Sequence, residues 1–173
     1  PPCSLARQNK TWNYFINDTG WNYFLEWFNT PEGAAGVAGY DDFYHRARTG
    51  DLPHFSFILP REGANATSGD GPNDDHPCHD IAKGERLLKD VYEALRAGPK
   101  WKRTLLFVAY DDAGGYYDHV VPPYEGVPAD ESPCIVPGLH PECGQVFDFR
   151  RLGLRTTSMP ISPWVAKGFA CIT

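Results

Sequence analysis

Apolar residues gather into two short continuous runs, His54-Phe-Ser-Phe-Ile-Leu59 and Thr104-Leu-Leu-Phe-Val-Ala-Tyr110, with a helix-period segment between them. Each run is too short to cross a membrane, and its aliphatic and aromatic content suits a strand buried on both faces of a sheet. In the segment between, Ile81, Leu87, Leu88, Val91 and Leu95 supply one apolar helix face. Asp80 is placed to cap that helix and Gly98-Pro99 to end it. Strand, helix and strand (54–59, 80–97 and 104–110) therefore predict a parallel pair joined by a right-handed crossover. Upstream, Trp12-Asn-Tyr-Phe-Ile16 predicts a further short strand closed by Gly20. Trp21, Phe24, Leu25 and Phe28 have the spacing of an amphipathic helix, its aromatic stripe suited to core packing rather than to lipid. Residues 31–39, with three glycines and three alanines, predict a loop, and 40–48 a short helix stopped by Gly50.

The second apolar run stops abruptly at Asp111-Asp112, and Gly114-Gly115 follow at once. Carboxylates at the carboxyl end of a buried strand lie where open α/β sheets place their ligands. Neighbours within a strand point to opposite faces. Both acids can reach one target only if the backbone leaves the strand there, which the glycine pair permits. Taken alone, the stretch reads equally well as a solvated turn. The other informative stretch is the polar loop 62–77, whose length marks it as either functional or without fixed structure. It carries Asp74-Asp-His-Pro-Cys-His79, with His76 placed 35 residues before Asp111. The helix and strand between them would return the chain to the same sheet edge. Arg61, just after the first run, has the planar fork that suits a phosphate, though such an arginine more commonly closes a structural salt bridge.

At 173 residues, 42% of them hydrophobic, the chain is long enough for one domain with its own core. A net charge of -6 argues against a nucleic-acid surface, which needs clustered Lys and Arg. No apolar stretch reaches membrane-span length, so any membrane contact would be peripheral. The chain opens on Pro1 and stops inside an apolar stretch, Gly168 to Thr173. The expectation is a piece of a longer protein, truncated at both ends. The five cysteines form no C-x-x-C pair, which argues against a thiolate zinc site. Three sequons, at Asn9, Asn17 and Asn65, lean toward a secreted or extracytoplasmic setting, where Cys134 and Cys143 could pair.

Tyr110-Asp-Asp-Ala-Gly-Gly-Tyr-Tyr-Asp-His-Val-Val-Pro-Pro123 closely resembles the Tyr-Asp-Glu-x-Gly-Gly-x-x-Asp-His-Val signature of the phosphoesterase family. That family contains bacterial phosphatidylcholine-hydrolysing phospholipases C, plant non-specific phospholipases C and a bacterial acid phosphatase. The resemblance runs from about Trp12 to Trp164. It is also strong in Leu52-Pro-His-Phe-Ser-Phe-Ile-Leu-Pro-Arg61, in Asp75-His-Pro77 and in the helix from Asp80. Later blocks are Phe149-Arg-Arg-Leu-Gly-Leu-Arg155 and Ile161-Ser-Pro-Trp164, where Ser162-Pro163 looks like the start of a helix. There are departures. Asp112 stands where Glu is common, Ala113 where His or Asn is common, Arg150 where the family has Asp, and Thr156-Thr157 where it has Val-Pro.

The resemblance implies an incomplete three-layer α/β/α sandwich of the alkaline-phosphatase type. It also implies one divalent metal ion, of a kind the carboxylates alone do not specify. Asp111 and Asp112 would be metal ligands, and His76 would stabilise the phosphate or protonate the leaving oxygen. His119 is a second catalytic candidate, Asp118 an orienting group, and His79 a further polar contact. The implied substrate is a phospholipid or another phosphate ester. The family's Glu-Asn pair and its Thr or Ser nucleophile motif are not found between Pro1 and Thr173, so this stretch is expected to be inactive by itself. A competing reading from another class is a secreted, non-catalytic module that binds calcium through Asp74, Asp75, Asp111 and Asp112. A two-carboxylate glycosidase is a weaker third option, because adjacent acids cannot flank a glycosidic bond from opposite sides.

Overall fold

The structure is a computed structural model, and it describes residues 4–5, 7–18, 25–63, 69–128 and 151–170. The described chain divides into two compact units, Pro1–Phe107 with Pro160–Thr173, and Val108–Met159.

The first unit is built on a parallel sheet. Strand β1 (Trp12–Phe15) lies between β2 (Val37–Ala38) and β3 (Phe55–Ile58), and both outer strands run parallel to it. The register sets Tyr14 opposite Val37 and Phe57, and Phe15 opposite Ala38 and Ile58. Successive side chains of β1 feed different cores, as the period of two requires. Phe15 packs with Tyr40, Phe43, Ala47, Leu87, Val91 and Leu95, residues of helices α2 (Tyr40–Thr49) and α3 (Ile81–Ala97). Tyr14 joins Ile16 and Phe28, with Trp12 and Trp27 against them. Parallel strands with helices packed over them make this an α/β fold.

The helix boundaries follow from local chemistry. The Asp80 carboxylate accepts from the Ala82 N–H at the start of α3, and Gly50 ends α2 in the left-handed conformation. Residues 31–39 are more ordered than the loop expected. Thr30 caps one turn of helix, α1 (Pro31–Ala34), through a bond from the Gly33 N–H, with Pro31 at the first position. Gly33 is required there, since a Cβ would sit 2.1 Å from the Trp27 carbonyl oxygen. The expected helix over 21–28 lies partly outside the described residues; its far end, Glu26–Asn29, is a 3-10 turn.

The predicted pairing of the two apolar runs is corrected. β3 pairs with β1, whereas the second run, β4 (Leu106–Ala109), pairs with β5 (Ser158–Ile161) in a separate two-stranded sheet. Neither run is covered on both faces among the described residues. Phe57 stays exposed although it stacks on Tyr14 at 5.1 Å, and Phe107 is 57% exposed. Among the described residues each strand is covered on one face, so the alternating exposure of a half-covered strand replaces the expected burial. Ile81, assigned to the buried face of α3, is exposed as well. Ser162-Pro163 opens a single turn rather than a helix within the described residues, with Ser162 Oγ donating to the Thr104 carbonyl at 2.8 Å. Cys134, Cys143, Asn65 and Arg150 lie outside the described residues.

Candidate active site

In the first unit the chain leaves β3 through Leu59-Pro60-Arg61 and returns at Asn73. The ends are clasped together. The Asn73 N–H donates to the Arg61 carbonyl at 2.9 Å, and the Arg61 N–H donates to Asn73 Oδ1 at 2.6 Å. Arg61 Nε donates to the Gly71 carbonyl at 3.1 Å, so its side chain holds the loop through a backbone carbonyl rather than through the salt bridge expected of it. Asn73 is a buried polar residue whose bonding is met by this clasp. Nothing in a loop rich in Gly, Asn, Asp and Ser marks it out by sequence. Because β1 and β3 are parallel, the clasp fixes the following residues, 74–79, at the carboxyl edge of the sheet.

Those residues form a tight turn before α3. Asp75 and Cys78 both have left-handed backbones, φ 63° and 81°, a conformation that costs a non-glycine residue energy and is concentrated at functional sites. The His79 N–H donates to the His76 carbonyl at 2.9 Å and closes the turn. His76 is exposed, and its Nδ1 lies 2.9 Å from the Pro77 carbonyl oxygen. His79 is half-buried, and its Nδ1 lies 2.7 Å from Asp74 Oδ1. The two imidazole centroids are 5.4 Å apart. Asp75 packs over α3, where a Cβ on Gly84 would lie 1.8 Å from its Oδ1.

The second unit carries the acid pair. The Tyr110 N–H donates to the Thr157 carbonyl at 3.0 Å, which fastens the backbone immediately before Asp111. Asp111 and Asp112 are exposed. Gly114 and Gly115 take φ values of 62° and 74°, so the chain does leave the strand direction at the glycine pair. A Cβ on Gly115 would meet nothing, so there the backbone angle, not space, calls for glycine. Asp112 Oδ1 accepts from the Gly114 N–H, and the Tyr116 N–H reaches the Ala113 carbonyl at 3.1 Å.

Asp118 is bonded through both carboxylate oxygens. Arg155 grips it with a two-pronged fork, Nε to Oδ2 at 2.8 Å and Nη2 to Oδ1 at 2.9 Å, while the Val120 N–H donates to Oδ1 at 3.0 Å. These bonds, the arginine's first, hold the Asp118 carboxyl well below the usual carboxylate range, and the same pairing pushes Arg155 up. Arg155 had no role assigned from sequence, although it ends the block Phe149–Arg155. His119, by contrast, is 86% exposed, and its Nδ1 lies 3.6 Å from Asp118 Oδ1, beyond hydrogen-bond length.

Among the described residues no group of three or more His, Cys, Asp or Glu side chains is arranged to hold a metal ion. A calcium cage including Asp74 and Asp75 finds no support, since Asp74 bonds His79 and Asp75 lies against Gly84. Asp111 and Asp112 fit a hard divalent cation by donor type, but two carboxylates are a partial set.

The sequence model of the phosphoesterase family matches residues 4–173. Over 127 residues the chain is 45% identical to non-specific phospholipase C6 of Arabidopsis thaliana, covering 73% of this chain and 23% of that protein. It is 43% identical over 122 residues to non-specific phospholipase C1 of the same plant, covering 70% and 21%. With the non-hemolytic phospholipase C of Burkholderia pseudomallei, identity is 26% over 186 aligned residues, covering 93% and 25%. The chain thus spans about a quarter of the length of the curated relatives it matches or less.

Proposed function

We propose, from the fact that this chain belongs to the phosphoesterase family, that it forms part of a catalytic domain hydrolysing phosphate esters by phospholipase C type cleavage of phospholipids. The observation that carries the reading is the coincidence of that match with an exposed acid pair on a left-handed Gly-Gly turn. The larger domain is proposed to be a three-layer sandwich of the alkaline-phosphatase type; the parallel β2-β1-β3 sheet and its packed helices support this.

Asp111 and Asp112 would hold a divalent cation, which when bound neutralises phosphoryl charge that would otherwise oppose attack. The rest of the work falls to protein groups. The Pro77 carbonyl can only accept, so His76 Nδ1 donates to it and Nε2 is left to meet a phosphoryl or leaving-group oxygen. Arg155 and Asp118 keep the loop after the acid pair in one conformation. A phospholipid substrate is favoured by the names of these three relatives, all of them phospholipases C.

The test is calorimetric titration with divalent cations and an assay of phosphatidylcholine hydrolysis, on the protein containing this chain and on its Asp112→Asn variant. Cation affinity should fall at least about tenfold and turnover by orders of magnitude, since a charged ligand is lost where phosphoryl charge is neutralised. Unchanged affinity and turnover would remove Asp112 from the site and the reading with it.

A further inference from the structure

The turn 74–79 presents two imidazoles whose δ nitrogens are both spoken for. At His76 the partner is the Pro77 carbonyl, and at His79 it is an Asp74 carboxylate oxygen. A carbonyl and an ionised carboxylate can only accept. Each neutral ring therefore carries its proton on Nδ1 and leaves Nε2 as its open position. Asp74 Oδ1 also lies 3.4 Å from the His76 N–H, so one carboxylate oxygen ties the backbone of the first histidine to the ring of the second. Asp74 is well placed for this, with its side chain only 12% exposed beside a 27% exposed imidazole. Buried carboxylates behind histidines fix tautomer and ring orientation in many sites. The strained backbones of Asp75 and Cys78 each come immediately before one of the two histidines, a configuration hard to account for if the turn merely connected β3 to α3.

We propose that His79 is a second phosphoryl-contacting imidazole beside His76, with Asp74 as the positioning residue that fixes it. The inference rests on the phosphoesterase reading of His76 and extends it to a side chain outside the matched Asp-His-Pro segment. With ring centroids 5.4 Å apart, two Nε2 positions can engage different oxygens of one phosphoryl group. His79 would then hold the group in orientation while His76 serves the leaving oxygen.

Nitrogen-15 NMR of the imidazoles, with inorganic phosphate as the probe, tests this directly. The neutral His79 ring should show its proton on Nδ1, and phosphate should move the Nε2 signals of both His76 and His79. Asp74→Ala should release the His79 proton to Nε2. That variant and His79→Gln should each weaken phosphate binding about tenfold, the weight of one charge-assisted hydrogen bond. A turn that served only as a connector would leave phosphate affinity untouched in His79→Gln. Phosphate moving His76 alone, or binding His79→Gln as it binds the parent, would overturn the role of His79 and leave the family reading standing. Phosphate moving neither ring would remove His76 as well.

Discussion

The substitution Gly84→Ala separates two effects of opposite sign. Gly84 is the fourth residue of α3, and it is buried. In an ordinary helix interior, alanine is better than glycine by about 1 kcal/mol. Here the added Cβ would lie 1.8 Å from Asp75 Oδ1 and 2.5 Å from its Cγ. Ordinary contact begins at 3.4 Å, so the oxygen would have to retreat by about 1.6 Å, the difference between 3.4 and 1.8. Asp75 has a short side chain on a left-handed backbone, so the retreat falls on the turn itself. Forcing atoms into a filled site costs about 1–3 kcal/mol. Set against the helix gain, Gly84→Ala should be between neutral and about 2 kcal/mol destabilising. Urea unfolding at constant slope would measure it. The decisive comparison is the same change in an Asp75→Gly background, where glycine suits the φ of 63° and no carboxylate is present. There Gly84→Ala should stabilise by about 1 kcal/mol. A full gain of about 1 kcal/mol in the parent background, with the His76 and His79 imidazole signals unmoved, would refute the contact and the argument built on it.

The Asp118–Arg155 fork should show a pH dependence of definite sign. Asp118 is held below its unfolded value, so its contribution is complete above about pH 4 and fades as acid takes the pH down through the folded value. Amide exchange at Val120 should therefore be faster in Asp118→Asn than in the parent at neutral pH, with the two converging in acid; equal rates at neutral pH would count against the fork. On passage through a secretory pathway, Asn9, which is exposed, should gain a glycan mass that peptide-N-glycosidase removes. Asn17 should gain less or none, since it is half-buried and its Oδ1 accepts from the Tyr40 N–H at 2.8 Å. Gly36→Val should unfold the first unit more readily, because even a Cβ there would sit 1.9 Å from the Trp12 ring; a denaturation midpoint equal to the parent's would exclude that packing.

What the sequence disclosed tracks how local each determinant is. Helix α3 was legible almost to the residue because Asp80 and Gly98-Pro99 act within one turn of its ends. The exit at Gly114-Gly115 was legible for the same reason, since paired glycines after a strand announce left-handed backbone. Strand partners were not. The runs at 54–59 and 104–110 look alike in composition, and nothing in either selects β1 over β5 as neighbour. One turn of helix at 31–34 was hidden among alanines and glycines, although Thr30-Pro31 was a cap signal that could have revealed it. The Arg155–Asp118 fork joins residues 37 apart, and their pairing was invisible until the backbone brought them together. The Asp74–His79 bond spans five positions, yet it depends on two left-handed residues that no propensity would have suggested.

The clasp between Arg61 and Asn73 makes the chain between them a closed excursion. Entropy charges little for lengthening such a loop, roughly 0.6 kcal/mol for each doubling. Residues inserted or exchanged between 62 and 72 would thus leave the carboxyl edge of the sheet, and the turn beyond Asn73, where they are. That frees the stretch to diversify while the histidines it leads to stay fixed. The fold therefore has a natural place to acquire new substrate preferences, or a new partner, without rebuilding the chemistry next door.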